Sequence, residues 1–293
     1  MKSHLKHQVS TAIMAVGIAG LTLLCGSAQA ALIAHYTFDS VFDTNKTADS
    51  VGSASATLGG AVSINSTVAG RIGNGALEMD NSLGTDAEGG DGAVTSNSFS
   101  WTSDARTLIF WWKAKEPNVN TSQGAYVSFG DTSANGTRFD MKEVNVGTPG
   151  QLRVEVAGAG LTTDPANFDD GGWHFVALTV SDSATFADIS WFVDGSTDLN
   201  ASSTSTQDIA TATGPLVFGD SVIAGATSSD GQDNRTPNGY LDDFQLYDEV
   251  LTSEQISFLY NNPGSVIPIP EPSTMVLAGL GLAGLTLRRR RRK

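Results

Sequence analysis

Gly239-Tyr240-Leu241-Asp242-Asp243-Phe244-Gln245-Leu246-Tyr247, followed closely by Leu251-Thr252-Ser253-Glu254-Gln255-Ile256, is the stretch whose reading decides the fold. Side chains alternate across a strand, so Phe244 and Leu246 share one face of a strand over Tyr240–Tyr247. Asp242 lies on that same face and Asp243 on the other. The period then changes. Ile256, Leu259 and Tyr260 form an apolar stripe at helical spacing, and Thr252 or Ser253 caps a helix over Ser253–Tyr260.

Upstream, that helix has no counterpart. Short alternating runs predict strands at Ile33–Phe38, Thr107–Lys113, Ala125–Phe129, Arg138–Val144, Gln151–Val156, His174–Val180, Ile189–Val193 and Leu216–Phe218. Turn signals separate them, among them Gly59-Gly60, Asn135-Gly136, Pro149-Gly150, Asp170-Gly171-Gly172 and Asp194-Gly195. The pattern is all-β, without a repeat and without a second domain, and it spans residues 31–261. Tyr36 and Phe38 share one face of the first strand, which can meet the Phe244/Leu246 face in a common core.

Six segments in order resemble the LamG-like (concanavalin A-like) jelly-roll family. Ala34-His35-Tyr36-Thr37-Phe38-Asp39 resembles its first strand, and Gly70-Arg71-Ile72-Gly73-Asn74-Gly75-Ala76-Leu77 its G-x-x-G-x-A-L segment. Thr107-Leu108-Ile109-Phe110-Trp111-Trp112-Lys113, Trp173-His174-Phe175-Val176-Ala177 and Trp191-Phe192-Val193-Asp194-Gly195 are similar to its S-F-W-x-K, W-x-x-V-A and Y-V-D-G strands. The 238–256 stretch is the nearest match. The resemblance implies two packed antiparallel sheets, with the first and last strands as neighbours. It also implies a calcium ion near Asp39, Asp242 and Asp243. Because adjacent strand residues face opposite ways, both Asp242 and Asp243 could ligate one ion by side chain only across a bulge. The alternative is that these carboxylates bond loop N–H groups at the edge of the core.

The ends carry sorting information. Lys2 and Lys6, an apolar run from Thr11 to Leu24 and Ala28-Gln29-Ala30 have the layout of a signal peptide over residues 1–30. Residues 262–272 read as a Pro/Gly linker ending in Pro270-Glu271-Pro272, and 273–287 as an apolar transmembrane sorting helix. Residues 288–293, with Arg288, Arg289 and Arg290 at their head, form a basic cytoplasmic tail. These three parts resemble the PEP-CTERM sorting signal of Gram-negative bacteria. The resemblance implies an exosortase partner, a transient C-terminal membrane anchor and delivery to the cell envelope or extracellular matrix.

All 31 Asp and Glu lie between these ends, against nine of the 17 Lys and Arg, so the exported segment carries a charge of −22. Such a surface repels nucleic acid and anionic membrane. Cys25, within the signal, is the sole cysteine, which excludes disulfides, thiol catalysis and thiolate metal sites from the rest. The acidic loops at Asp86, Glu88 and Asp91 and at Asp230, Asp233 and Asn234 lack EF-hand spacing and read as solvated. His35 and His174 read as framework residues without a nucleophile partner. No E-x-D-x-x-E pattern offers the paired carboxylates of sandwich-fold glycosidases. Of Trp111 and Trp112, which face opposite sides of their strand, one packs inside, and Trp112 is the candidate sugar-stacking residue. The expectation is a non-enzymatic, exported module for adhesion or exopolysaccharide association. A glycan-active enzyme on the same sandwich and a purely structural matrix protein are the other two readings.

Overall fold

A computed structural model describes residues 30–267, apart from residues 69, 81, 83–91, 100–104, 116–123, 131–137, 145–149, 157–158, 164–168, 182–184, 196–210, 212 and 222–235. Residues 1–29 of the signal peptide, the sorting segment with Pro270, Glu271, Pro272, Arg288, Arg289 and Arg290, and both acidic loops (Asp86, Glu88, Asp91; Asp230, Asp233, Asn234) lie outside the described residues. Among the described residues no helix is long and apolar enough to cross a membrane.

In chain order the strands are β1 (Leu32–Tyr36), β2 (Lys46–Ala48), β3 (Ser55–Thr57), β4 (Val62–Asn65), β5 (Ala76–Met79), β6 (Ala93–Phe99), β7 (Arg106–Ala114) and β8 (Ala125–Gly130). They continue with β9 (Arg138–Val144), β10 (Gln151–Val156), β11 (Ala159–Thr162), β12 (His174–Val180), β13 (Ile189–Val193), β14 (Gly214–Phe218) and β15 (Gly239–Tyr247). One helix, α1 (Ser253–Asn261), closes the series. Two antiparallel sheets result. The first runs β13-β12-β7-β15-β5-β4, with β1 also on β15, and the second β11-β10-β9-β8-β14-β6-β3-β2. The first and last strands are neighbours, as expected, with Tyr36 opposite Phe244.

Every predicted strand is present, with ends shifted by two residues or fewer. β2, β3, β4, β5, β6 and β11 were not anticipated. Their sequences (KTA, SAT, VSIN, ALEM, AVTSNSF and AGLT) are too short or too rich in small polar residues to display an apolar alternation.

The core between the sheets gathers Tyr36, Phe38, Phe110, Trp112, Phe139, Phe218 and Phe244. Phe218 is its hub, with ring centroids 5.2 Å from Tyr36, 5.3 Å from Phe38 and 4.9 Å from Phe244. The Tyr36/Phe38 and Phe244/Leu246 faces thus meet as the alternation predicts. A second apolar layer lies on the outer face of the first sheet. There Ile109, Trp111, Phe175 and Tyr247 pack under Ile256 and Leu259 of α1. The helix starts in a reciprocal cap, in which Thr252 Oγ1 accepts the Gln255 N–H and Gln255 Oε1 accepts the Thr252 N–H.

Candidate functional site

β15 changes partners halfway along one edge. Gly239 to Leu241 pair with β5, and Phe244 to Tyr247 pair with β1. The switch falls at Asp242 and Asp243, where the register with β7 also slips, so a bulge occupies the place the sequence reading required. Asp243 takes a left-handed backbone, with φ of 49°. The two carboxylates are turned to different tasks. Asp243 Oδ1 lies 2.6 Å from His35 Nε2, and its Oδ2 accepts from Gln245 Nε2 at 3.1 Å. His35 Nδ1 in turn meets Ser50 Oγ at 2.8 Å, which makes this histidine a framework residue joining β1, β15 and the turn after β2.

Asp242 faces the segment before β5. Its Oδ2 accepts the Ile72 N–H at 2.9 Å and its Oδ1 accepts the Asp243 N–H at 2.8 Å. Asp39, just beyond β1, reaches the other end of that segment, where its Oδ1 accepts the N–H groups of Asn74 at 2.6 Å and Gly75 at 3.3 Å. Residues 70–75 are therefore a loop held between two carboxylates. Burial, with the nearby charges of Asp243 and Asp39, pushes Asp242 up to about 7.

Three oxygens converge in front of Gly70. A Cβ there would run into the Gly75 carbonyl, come within 2.6 Å of the Ile72 carbonyl and 2.9 Å of Asp242 Oδ2. Two carbonyls and a buried carboxylate form a hard-oxygen cradle suited to Ca²⁺. Asp242 with these carbonyls could hold such an ion, with Asp39 at the far end of the same loop, whereas Asp243 is turned away from the loop to His35 and Gln245. Among the described residues no three His, Cys, Asp or Glu side chains are grouped to hold a metal, so the fit depends on backbone oxygens.

The same loop borders a groove. Arg71, exposed, lays its guanidinium over the Trp111 ring, 4.3 Å from the centroid. Trp111 is itself 6.0 Å from Tyr260 in a stacked arrangement. With Trp173, Asp194, Asn261 and Pro263 these residues line a groove of about 340 Å³ on the helix side of the first sheet. Asp194 is held in place, its Oδ1 accepting the Phe175 N–H at 2.8 Å and its Oδ2 lying 2.7 Å from His174 Nδ1. His174 also meets Asp170 through Nε2 at 2.9 Å. Partial burial opposes the charged imidazole, but the bonds to Asp194 and Asp170 outweigh it and raise the His174 pKa above its ordinary value.

Trp112 does not serve as the expected sugar platform. It is 1% exposed, with its ring 4.5 Å from Tyr126 inside the core. Trp111 and Trp112 do face opposite sides, but the side away from the core lies under α1, so Trp111 borders the groove and Trp112 fills the sandwich. The outer face of the second sheet holds another group that pattern reading missed. Arg138 bonds Asp140 at 2.7 Å and Glu155 at 2.6 Å, and Lys142 bonds Glu155 at 2.8 Å. Burial works to raise the Glu155 pKa, but Lys142, Arg138 and Arg153 outweigh it and hold it below the usual range.

A sandwich of two packed antiparallel sheets with neighbouring terminal strands is a jelly-roll architecture. The family comparison agrees. The Concanavalin A-like lectin/glucanases superfamily model matches residues 88–257, more than half of the chain, and the chain belongs to that superfamily. A PEP-CTERM protein-sorting motif matches residues 268–292. That motif implies export and sorting to the cell envelope or extracellular space. No curated protein matches the chain.

Among solved structures, domain 4 of AbnA, a GH43 extracellular arabinanase from Geobacillus stearothermophilus in complex with arabinotriose, is 17% identical with a TM-score of 0.53, covering 79% of this chain and 99% of that one. Trypanosoma rangeli sialidase in complex with 2,3-difluorosialic acid is 16% identical with a TM-score of 0.52, covering 78% of this chain and 32% of that one. The botulinum neurotoxin type G receptor binding domain is 13% identical with a TM-score of 0.51, covering 78% and 51%. At these identities the likeness establishes the fold alone.

Proposed function

We propose that the chain is a non-catalytic, exosortase-sorted module of a Gram-negative envelope or extracellular matrix, which associates with polysaccharide and carries a structural calcium ion. The groove of Arg71, Trp111, Trp173 and Tyr260 is the observation that carries this reading, because aromatic walls with a few fixed polar groups are what sugar rings pack against. Its one carboxylate, Asp194, is already engaged by His174 and the Phe175 N–H. Glycoside cleavage uses two carboxylates roughly 5–9 Å apart across one bond, and the groove lining supplies one. Asp39 and Asp242, with the Ile72 and Gly75 carbonyls, are the residues that would hold calcium. The ion's part is to neutralise Asp242 and fix the loop that bears Arg71.

The sorting half of the reading supposes a C-terminal helix that is membrane-bound until exosortase acts. Cell fractionation tests it. Replacing Glu271 or the Arg288–Arg292 cluster is expected to change retention and tail size, and unaltered retention in both variants would refute exosortase sorting. The binding half is tested by sedimentation of the chain with a polysaccharide panel that includes the host's own exopolysaccharide, with released sugars monitored. Saturable binding without products is expected. Products released from any member would make the chain an enzyme.

A further inference from the structure

We propose that the groove floored by Trp111 selects a carboxylated sugar, a uronic acid residue of a polysaccharide, with Arg71 as the group that reads the carboxylate. This rests on the glycan-association reading above and names the sugar class for its site.

The exported segment has nine Lys and Arg against 31 Asp and Glu, so cations in it are readily neutralised. Lys46, Lys115, Arg138, Lys142 and Arg153 are each bonded to carboxylates. Arg71 is not. Among the described residues its contact is the Trp111 face, 4.3 Å away, which supports the guanidinium without using its N–H groups. A planar fork of donors is thus presented at the groove with no internal acceptor. Its shape matches a carboxylate in two parallel bonds.

The rest of the lining suits a sugar ring. Trp173 and Tyr260 are half-buried, each with part of its ring surface at the groove, where the C–H face of a pyranose packs well. Asn261, exposed at the end of α1, gives one amide hydrogen to the Ser257 carbonyl at 2.7 Å and keeps its Oδ1 and second N–H for hydroxyls. Asp194 does not compete for the guanidinium, since His174 and the Phe175 N–H hold both of its oxygens. About 340 Å³ is near the lower end of small-molecule sites and accommodates roughly one or two sugar rings. A bare phosphate would satisfy Arg71 but leave the aromatic walls unused.

The experiment measures the affinity of the full chain, in mild detergent, for an oligogalacturonate and for the same oligomer with its carboxyls methyl-esterified. The wild type is expected to prefer the free acid by roughly tenfold, the scale of a charge-assisted pair. Arg71→Gln is expected to abolish that preference, and Arg71→Lys to keep part of it. Trp173→Ala is expected to weaken both ligands. Because Trp173 is half-buried, Asn261→Ala is the second wall variant. It is exposed, and a several-fold loss on both ligands with an unchanged melting temperature is the expected result. Equal affinity for acid and ester, or a preference that survives Arg71→Gln, overturns the inference while leaving glycan association intact. Binding to a neutral glycan alone does the same. Failure to bind any glycan overturns the underlying reading as well.

Discussion

Without metal, Asp242 should make this protein less stable as pH rises. The cause is a carboxylate with 0% of its surface exposed, beside Asp243 and with the charge of Asp39 near. In the unfolded chain it ionises at its ordinary 3.8, whereas in the metal-free fold burial holds its proton to about 7. The folded state therefore binds more protons across that window, and stability is full below it and lost as pH climbs through it. The whole displacement is worth about 4 kcal/mol. Between about pH 5 and pH 8 the loss is about 2–3 kcal/mol, or roughly 5–10 °C in melting temperature for a domain of this size. Asp242→Asn stays neutral throughout. Its amide must turn NH₂ toward the N–H of either Ile72 or Asp243, a mismatch costing about 1–3 kcal/mol. In chelator the variant should lose the part of the slope that Asp242 supplies, keeping only the pH dependence of other groups such as His174, and near pH 8 it should match or exceed the wild type. Added calcium should raise the wild-type melt, more at pH 8 than at pH 5, and leave the variant unmoved. Differential scanning calorimetry in chelator is the assay. A wild-type melt indifferent to pH between about 5 and 8, or a variant that keeps the wild-type slope, would refute the reasoning.

Three further outcomes follow from the same geometry. Thr252→Ala should lower stability by about 1 kcal/mol in urea melts, since it opens the reciprocal cap with Gln255. His174 has a raised pKa, so its contribution through Asp194 and Asp170 should be full below 6.5 and fade as pH rises through the higher folded value. The stability gap between the wild type and His174→Gln should accordingly narrow from acid to alkaline pH. Trp112→Ala should cost about 3–5 kcal/mol in stability, as a core residue does, and unfolding midpoints would show it.

The parts of this fold visible in the sequence are those where burial imposes a period. β9, β10, β12 and β13 have the bounds that alternation predicts. β2 and β3 escaped because Lys46–Ala48 and Ser55–Thr57 carry too little apolar surface to show a face. Alternation also placed Asp242 and Asp243 on opposite sides of one strand. It did not reveal that His35, one strand away, engages Asp243 and leaves the loop to Asp242 and Asp39. Likewise it separated Trp111 from Trp112 without saying which side α1 would cover. The groove was beyond reach, since positions from Arg71 to Pro263 meet there only because β12, β13 and the end of α1 converge on the Gly70–Gly75 loop.

The Gly70–Gly75 loop borders both the oxygen cradle and the groove of Trp111 and Tyr260. The most direct measurement takes one purified sample and determines both its bound metal, by elemental mass spectrometry, and its affinity for the host's exopolysaccharide before and after chelation. The expected result is about one calcium per chain and an affinity that drops when the ion is removed and returns when it is restored. A metal-free protein that binds the polysaccharide equally well in chelator would contradict it.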